Sequence, residues 1–135
     1  MAIRHSLTSI NAKADAIAFL LRGGSLRVYA GKAPDSPDGI ADEVLLAEHK
    51  LGDPAFGKAD NGTIKSNAIE DEFAVKATAK ATWFRAVTKT GTPVFDGTVG
   101  VVDGDLRYDD VQFVKDAKVR VESFIYTVTR KGLDI

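Results

Sequence analysis

A run of alternating side chains in the middle of the chain constrains the fold more than any other feature. Between residues 75 and 82, small apolar residues alternate strictly with lysines and threonines. A period of two is typical of a β-strand with one buried face. The alternation loses its phase at the adjacent aromatics Trp83 and Phe84. A bulge, or a strand buried on both faces, would produce that change. We therefore predict a long strand over residues 73–88 with a covered inner face.

Four further segments have the composition of strands, and turn-forming residues separate them. These segments are residues 25–30, 44–51, 94–102 and 119–129. The Asn-Gly pair at 61–62 and the Asp-Gly pair at 103–104 each predict a hairpin, and Gly91 predicts a further turn. Short strands with regular turn signals are typical of β-sandwiches and jelly rolls.

One helix precedes the strands. Its apolar positions recur at helical spacing, and they are Ile10, Ala14, Ile17, Ala18 and Leu21. Thr8, Ser9 or Asn11 can cap its first turn, and the Gly-Gly pair at 23–24 ends it. We expect this helix to cover one face or one open end of a sheet, or else to pack on a neighbouring subunit.

These signals together predict a fold class. At 135 residues the chain has the size of one domain with a sizeable core. We predict that residues 1–135 form one mainly β domain, an antiparallel, jelly-roll-like β-sandwich with an arm and one short helix over about residues 1–22. Trp83, Phe84 and Phe56 are the aromatic candidates for its core. Trp83→Ala should then cost about 3–5 kcal/mol of stability.

The charge balance limits the classes of partner that the chain is expected to bind. Lys and Arg number 18 against 19 Asp and Glu, which gives a net charge of -1. Nucleic-acid binders carry an excess of basic residues, so we expect no nucleic-acid partner. No apolar run approaches the roughly 20 residues that span a bilayer, and no signal peptide is evident. We therefore expect no membrane partner and synthesis in a reducing cytoplasm. The absence of cysteine agrees with that expectation.

Residue types that act in catalytic and metal-binding sites are present but form no recognisable motif. Neither His5 nor His49 has a second ligand at a metal-binding spacing. Acidic residues cluster at 35–43, 70–72 and 103–110 without the spacing of a calcium loop. No serine lies in a nucleophile elbow, and no carboxylate pair stands out for glycoside hydrolysis. We predict no catalytic residue, no metal and no cofactor.

Four segments of the sequence are similar to segments found in a known group of proteins. They are GGSLRVYAGKAP, EVLLAEHKLGDPAFGKADNG, KATWFRAVTKTGTPVFDGTVG and VRVESFIYTV. Over roughly residues 12–128 the chain resembles a family of small virion structural proteins of tailed bacteriophages and prophages. The matched features lie at residues 24–29, 54–57, 81–85 and 96–97. Lys80 and Ala117 depart from the pattern, where a small residue and a turn glycine are usual.

The resemblance implies a structural role in the virion. Size and fold class favour a capsid decoration or cement protein, which would bind the capsid surface and bridge subunits of the major capsid protein. A tail, neck or fibre-associated component is the alternative within the same class. A carbohydrate-binding module on the virion surface, with aromatic side chains stacked on sugar, is the alternative from another class. An enzyme is the least favoured function.

The long loop over residues 31–43 is the predicted contact segment, because long ordered loops in β domains tend to be functional. Its acids Asp35, Asp38 and Asp42 are the candidates for meeting basic groups on another virion protein. The arm at residues 2–9 is the next candidate. We also expect the protein to form a homo-oligomer, most simply a dimer, since closed two-fold pairs are the commonest assemblies.

Overall fold

The computed structural model describes residues 3–41 and 43–128. It confirms a mainly β fold with one N-terminal helix, α1 (Leu7–Leu20). The strands are β1 (Ser25–Tyr29), β2 (Leu45–Lys50), β3 (Thr63–Lys65), β4 (Ala79–Lys80), β5 (Trp83–Val87), β6 (Pro93–Gly100), β7 (Leu106–Arg107), β8 (Gln112–Phe113) and β9 (Ser123–Thr127). Seven of them form one sheet in the order β2-β1-β5-β6-β7-β9-β3, and β4 pairs with β8 in a second, small sheet. No helix of the described residues is long and apolar enough to span a bilayer.

One strand pair departs from the antiparallel pattern of the others. β6 and β7 run parallel, with Val99 opposite Leu106. The hairpin predicted at residues 103–104 is therefore wrong, because the chain loops back between these strands and continues in the same direction. Glycine is needed at both ends of this loop, since a Cβ on Gly104 would collide with the backbone nitrogen of Gly100. Such close approach of two backbones is a common reason for glycine in a sheet.

The single strand predicted over residues 73–88 is observed only from residue 79 onward, as the separate strands β4 and β5, which belong to different sheets. The N–H of Val75 donates to the carbonyl of Ala117 and that of Lys76 to Leu46, so residues 73–78 lie between other segments and form no ladder. Burial nevertheless alternates from Val75 to Ala81, which shows that the period of two reports a covered face rather than one continuous strand. All five residues of β5 are buried, which explains the loss of phase at Trp83.

The start of the helix differs from the prediction. Its cap is Ser6, whose hydroxyl accepts from the N–H of Ser9 at 3.1 Å. The helix ends before Gly23, whose φ of 66° is easily reached by glycine. The cap was missed because Ser6 lies among several other residues that can cap a helix.

Two polar side chains of the helix hold the predicted turn at residues 61–62. The carboxamide of Asn11 accepts from the N–H of Gly62 at 2.7 Å, and the carboxylate of Asp15 accepts from the N–H of Ala59 at 3.0 Å. Asn61 and Gly62 have φ values of 56° and 79°, as a two-residue hairpin turn requires. The helix therefore packs beside β3 and fixes the turn that precedes it.

The core is one cluster of buried side chains from the helix and the sheets. Phe84 and Phe124 meet edge to face at 5.5 Å. Phe84, Phe56 and Trp83, the three aromatic core candidates, are all buried. The rings of Tyr108 and Phe113 pack edge to face at 5.0 Å. The short strands that the pattern missed thus bring large residues into the same core.

A buried polar pair crosses this core. Nδ1 of His49 lies 2.7 Å from the carbonyl oxygen of Glu70, and Nε2 lies 2.6 Å from the Tyr108 hydroxyl. Because a carbonyl only accepts, Nδ1 carries the proton, and Nε2 accepts from Tyr108. Burial lowers the pKa of His49 and raises that of Tyr108. Both groups are therefore neutral in the folded protein at neutral pH.

A strap formed by residues 69–76 covers the outer edge of β2. The carbonyls of Leu46 and Lys50 accept from the N–H groups of Lys76 and Glu70 at 2.9 and 3.0 Å. The N–H of Glu48 donates to the carboxylate of Glu72, which lies on the strap, at 3.3 Å. Main-chain groups at this end of the sheet are thereby satisfied within the molecule.

Candidate partner-binding surface

A buried arginine occupies the middle of β5 on the face of the sheet opposite the core. The side chain of Arg85 is only 6% exposed. Its Nε and Nη2 donate to the two carboxylate oxygens of Asp96 on β6 at 2.7 and 3.1 Å. This fork-to-fork geometry is the strong form of a charged hydrogen bond. The hydrogen bond to Asp96 is also the main reason why the pKa of Arg85 is raised.

The same guanidinium holds a long loop, residues 31–41, over this face. Nη1 of Arg85 donates to the carbonyl of Gly39 at 2.6 Å, and Nη2 donates to that of Ser36 at 3.4 Å. Within the loop, the N–H of Asp38 donates to the hydroxyl of Ser36 at 3.1 Å. A charge buried in the sheet therefore fixes the path of the loop backbone.

Further contacts fix the beginning of the loop. The indole N–H of Trp83 donates to the carbonyl of Ala30 at 3.1 Å, and the hydroxyl of Thr82 donates to Gly31 at 2.7 Å. The Trp83 ring stacks on Tyr29 with centroids 4.5 Å apart. The loop is therefore tied to the sheet at both ends, although it has no regular secondary structure.

The outer side of the loop presents acidic and apolar side chains to solvent. Asp35 and Asp38 are exposed. Ile40 is 82% exposed, and Val44 at the entry to β2 is 60% exposed. We call these four residues the loop surface. Asp42, the third acid predicted to contact a partner, lies outside the described residues.

Sequence reasoning placed the two acids on this loop but missed the residue that positions it. Arg85 lies within the strand predicted over residues 73–88, where the sequence analysis assigns it no separate role. A charged residue between buried neighbours in a strand needs a partner, and that is the signal that would have singled it out. The partner, Asp96, lies on the next strand, and the hairpin turn at Gly91 brings the two into register.

The aromatic residues on this face do not form an exposed row. Tyr29 and Trp83 are 7% and 3% exposed, and they stack on each other beside the start of the loop. The stacked faces of these two rings are thus covered within the molecule. Phe19 on the helix and Phe73 on the strap are exposed, but they belong to separate parts of the fold.

The histidines and acids form no assembled chemical centre in residues 3–41 and 43–128. No group of three or more metal-ligating side chains comes together there. His5 bonds to the hydroxyl of Ser9 at 3.1 Å, and His49 lies in the core.

No protein-family model, curated protein or solved structure matches the chain.

Proposed function

We propose that the chain is a structural protein of a bacteriophage virion, a decoration or cement protein that docks on the capsid through the loop surface. The observation that carries this proposal is the loop itself, which the buried Arg85 holds in place while Asp35, Asp38 and Ile40 face solvent. The sequence resemblance to small virion proteins supports the same function.

The fixed loop favours binding for two physical reasons. A loop that is already ordered loses less conformational entropy when it docks. An exposed apolar side chain with acids beside it has the pattern of an interface centre and its polar rim. The partner surface should therefore offer an apolar pocket for Ile40 and basic groups for Asp35 and Asp38. On a repeating capsid lattice, simultaneous contacts would strengthen weak single ones by about 10²–10⁴-fold.

Incorporation into particles tests the loop surface. We expect that replacing Asp35, Asp38 and Asp42 with serine, or Ile40→Asp, lowers the amount of protein in purified particles and makes its release by salt easier. The matched control replaces Asp60, Asp103 and Asp109, which are exposed acids elsewhere on the molecule. Normal incorporation of both loop variants would contradict the proposal, and the arm at residues 2–9 would be tested next.

The copy number of the protein in the particle distinguishes a capsid decoration protein from a tail component. A decoration protein should approach the abundance of the major capsid protein, and filled heads that lack it should break more readily on heating. A tail, neck or fibre-associated component would be far scarcer and would leave head stability unchanged. Quantitative mass spectrometry of intact particles distinguishes these outcomes.

Self-association as a dimer is part of the proposal. Phe19 and Leu20, at the end of the helix, are 63% and 47% exposed and offer an apolar contact. We expect Phe19→Glu to shift the protein toward monomer in sedimentation equilibrium. Monomer alone at high micromolar concentration for the unmodified chain would rule the dimer out.

A further inference from the structure

The large sheet contains a gap between β6 and β9. β7 separates these two strands, but it has only two residues and pairs with β6 at Val99 and Gly100. Beyond the N-terminal end of β7, no strand of the described residues lies between them. A groove of about 260 Å³ opens there, lined by residues 95–97 of β6, residues 124–127 of β9, and Asp105.

The edge of β6 directs main-chain groups into this gap. The N–H of Val99 donates to Thr82 on the β5 side at 3.0 Å. Because the direction of main-chain groups alternates along a strand, those of Asp96 and Thr98 point to the opposite side. The N–H of Thr98 reaches the carboxylate of Asp105 at 3.1 Å. Asp96 has no strand partner on that side among the described residues.

The edge of β9 faces the gap from the other side. The N–H of Val128 donates to the carbonyl of Gly62 at 2.8 Å, on the side of β3. By the same alternation, Ile125 and Thr127 direct their N–H and C=O groups toward the gap. The two strand edges thus present main-chain donors and acceptors to a common space.

Next to the gap, β6 and β9 are separated by the width of one strand. Leu106 of β7 pairs with Val99 of β6 and with Phe124 of β9, so the two edges stand one strand apart at that level. The carboxylate of Asp105 occupies the position where a strand carbonyl would accept from Thr98.

The walls of the gap specify the chemistry of the added strand. On the inner side, the rings of Phe95 and Tyr126 stack with centroids 5.0 Å apart and offer an apolar surface. On the outer side stands the exposed carboxylate of Asp105, which accepts from the N–H and the hydroxyl of Thr98 at 3.1 and 3.2 Å, whereas the Asp96 carboxylate is paired with Arg85. Successive side chains of a strand point to opposite faces. An occupant that places apolar side chains inward and basic side chains outward therefore matches both walls.

We propose that this gap binds an extended peptide segment of a partner protein, with alternating apolar and basic residues, by strand addition. Main-chain hydrogen bonds to Asp96, Ile125 and Thr127 would give affinity, and Asp105 would select a basic residue. This surface is separate from the loop surface and extends the proposed function with a second mode of attachment.

A synthetic peptide of alternating lysine and valine tests the proposal on the full chain. We expect the peptide to bind and to slow hydrogen exchange of the Ile125 and Thr127 amides, measured by NMR. A glutamate–valine peptide and a lysine–valine peptide interrupted by proline should bind about tenfold more weakly or not at all, since one loses the charge match and the other loses main-chain donors.

Variants of the protein separate strand addition from simple charge attraction. Ile125→Pro removes an N–H that faces the gap but keeps the bonds between β9 and β3, and we expect about tenfold weaker peptide binding. Ile125→Ala controls for the lost side chain. Asp105→Asn should weaken binding, whereas Asp103→Asn, at an exposed acid outside the groove, should not.

Several results would overturn the proposal. They are no binding of the lysine–valine peptide at millimolar concentration, equal binding of the proline-interrupted peptide, and protection of amides remote from β6 and β9. Equal binding by Asp103→Asn and Asp105→Asn would also overturn the assigned role of Asp105. Loss of particle incorporation on loop substitution leaves these peptide results unchanged, so the two proposals fail separately.

Discussion

The two faces of β5 are covered by different means. Phe84 and Ala86 face the core, where the rings of Phe95 and Phe124 pack on Phe84. Trp83 and Arg85 face the other way, and a loop without regular structure covers them through directional hydrogen bonds. Apolar burial is non-directional and tolerates some rearrangement, whereas hydrogen bonds from a guanidinium fix positions. Both sides thus contribute stability, but only the loop side fixes the position of a surface segment.

Truncation on either face of β5 gives the largest expected effect. We expect Phe84→Ala to destabilise the protein by about 3–5 kcal/mol, because it leaves a cavity in the core. Trp83→Ala should cost a similar amount and should also free the start of the loop, since the bond to Ala30 is lost. Urea denaturation measures the first effect, and hydrogen exchange of residues 31–41 measures the second. Equal loop exchange in both variants would break the contrast between the faces.

Substitution of Arg85 distinguishes its effect on the stability of the fold from its effect on the position of the loop. Arg85→Met leaves the mostly buried carboxylate of Asp96 without its partner, which should cost about 3 kcal/mol. The double variant with Asp96→Val should recover most of this stability, because no uncompensated charge remains. Both variants should lose hydrogen-exchange protection in the loop. A double variant that regains stability and keeps a protected loop would show that Arg85 is not the anchor.

The polar pair in the core predicts a pH effect of intermediate size. Burial lowers the pKa of His49 from its ordinary value of 6.5, so the unfolded chain binds the extra proton first as pH falls. Stability is therefore complete above pH 6.5 and falls by at most about 1.4 kcal/mol per pH unit as pH drops toward the lowered pKa. We expect His49→Gln to remove this part of the pH dependence in urea titrations. An unchanged pH profile would contradict the prediction.

Substitution of the loop acids should have the smallest effect on stability. Asp35 and Asp38 are exposed and make no described ion pair, so their change to serine should alter stability by less than about 0.5 kcal/mol. Thermal melts of the variant and the unmodified chain measure this. A large loss of stability would mean that these acids support the fold, and reduced incorporation could not then be read as a lost contact.

The sequence predicts the strands that carry strong apolar patterns but not the short ones. β1, β2, β5 and β9 fall in predicted segments, and β6 begins one residue before its segment. β1, β2 and β5 each bury several side chains. β3, β7 and β8 have two or three residues, too few to show a period. Neighbouring segments, rather than local preference, set their conformation. The same holds for residues 73–78, whose hydrogen bonds go to distant parts of the chain.

The candidate surface was predictable in part. The length of the loop and its acids at 35 and 38 can be read from the sequence. The hydrogen bonds from Arg85 to the carbonyls of Gly39 and Ser36 cannot. Every residue has a main-chain carbonyl, so the sequence does not indicate which carbonyl a side chain will bind. The gap between β6 and β9 was equally invisible, because it depends on where β7 ends.

The strap over β2 affects whether copies of the protein can join edge to edge at high concentration. An uncovered strand at the border of a sheet is a template on which another copy can extend the ladder, and fibrous aggregates grow that way. Here residues 69–76 already occupy that border, and the Glu72 carboxylate takes the N–H of Glu48. Polymerisation through β2 is therefore blocked within each molecule. Even at very high local concentration, neighbouring copies remain discrete units at this border.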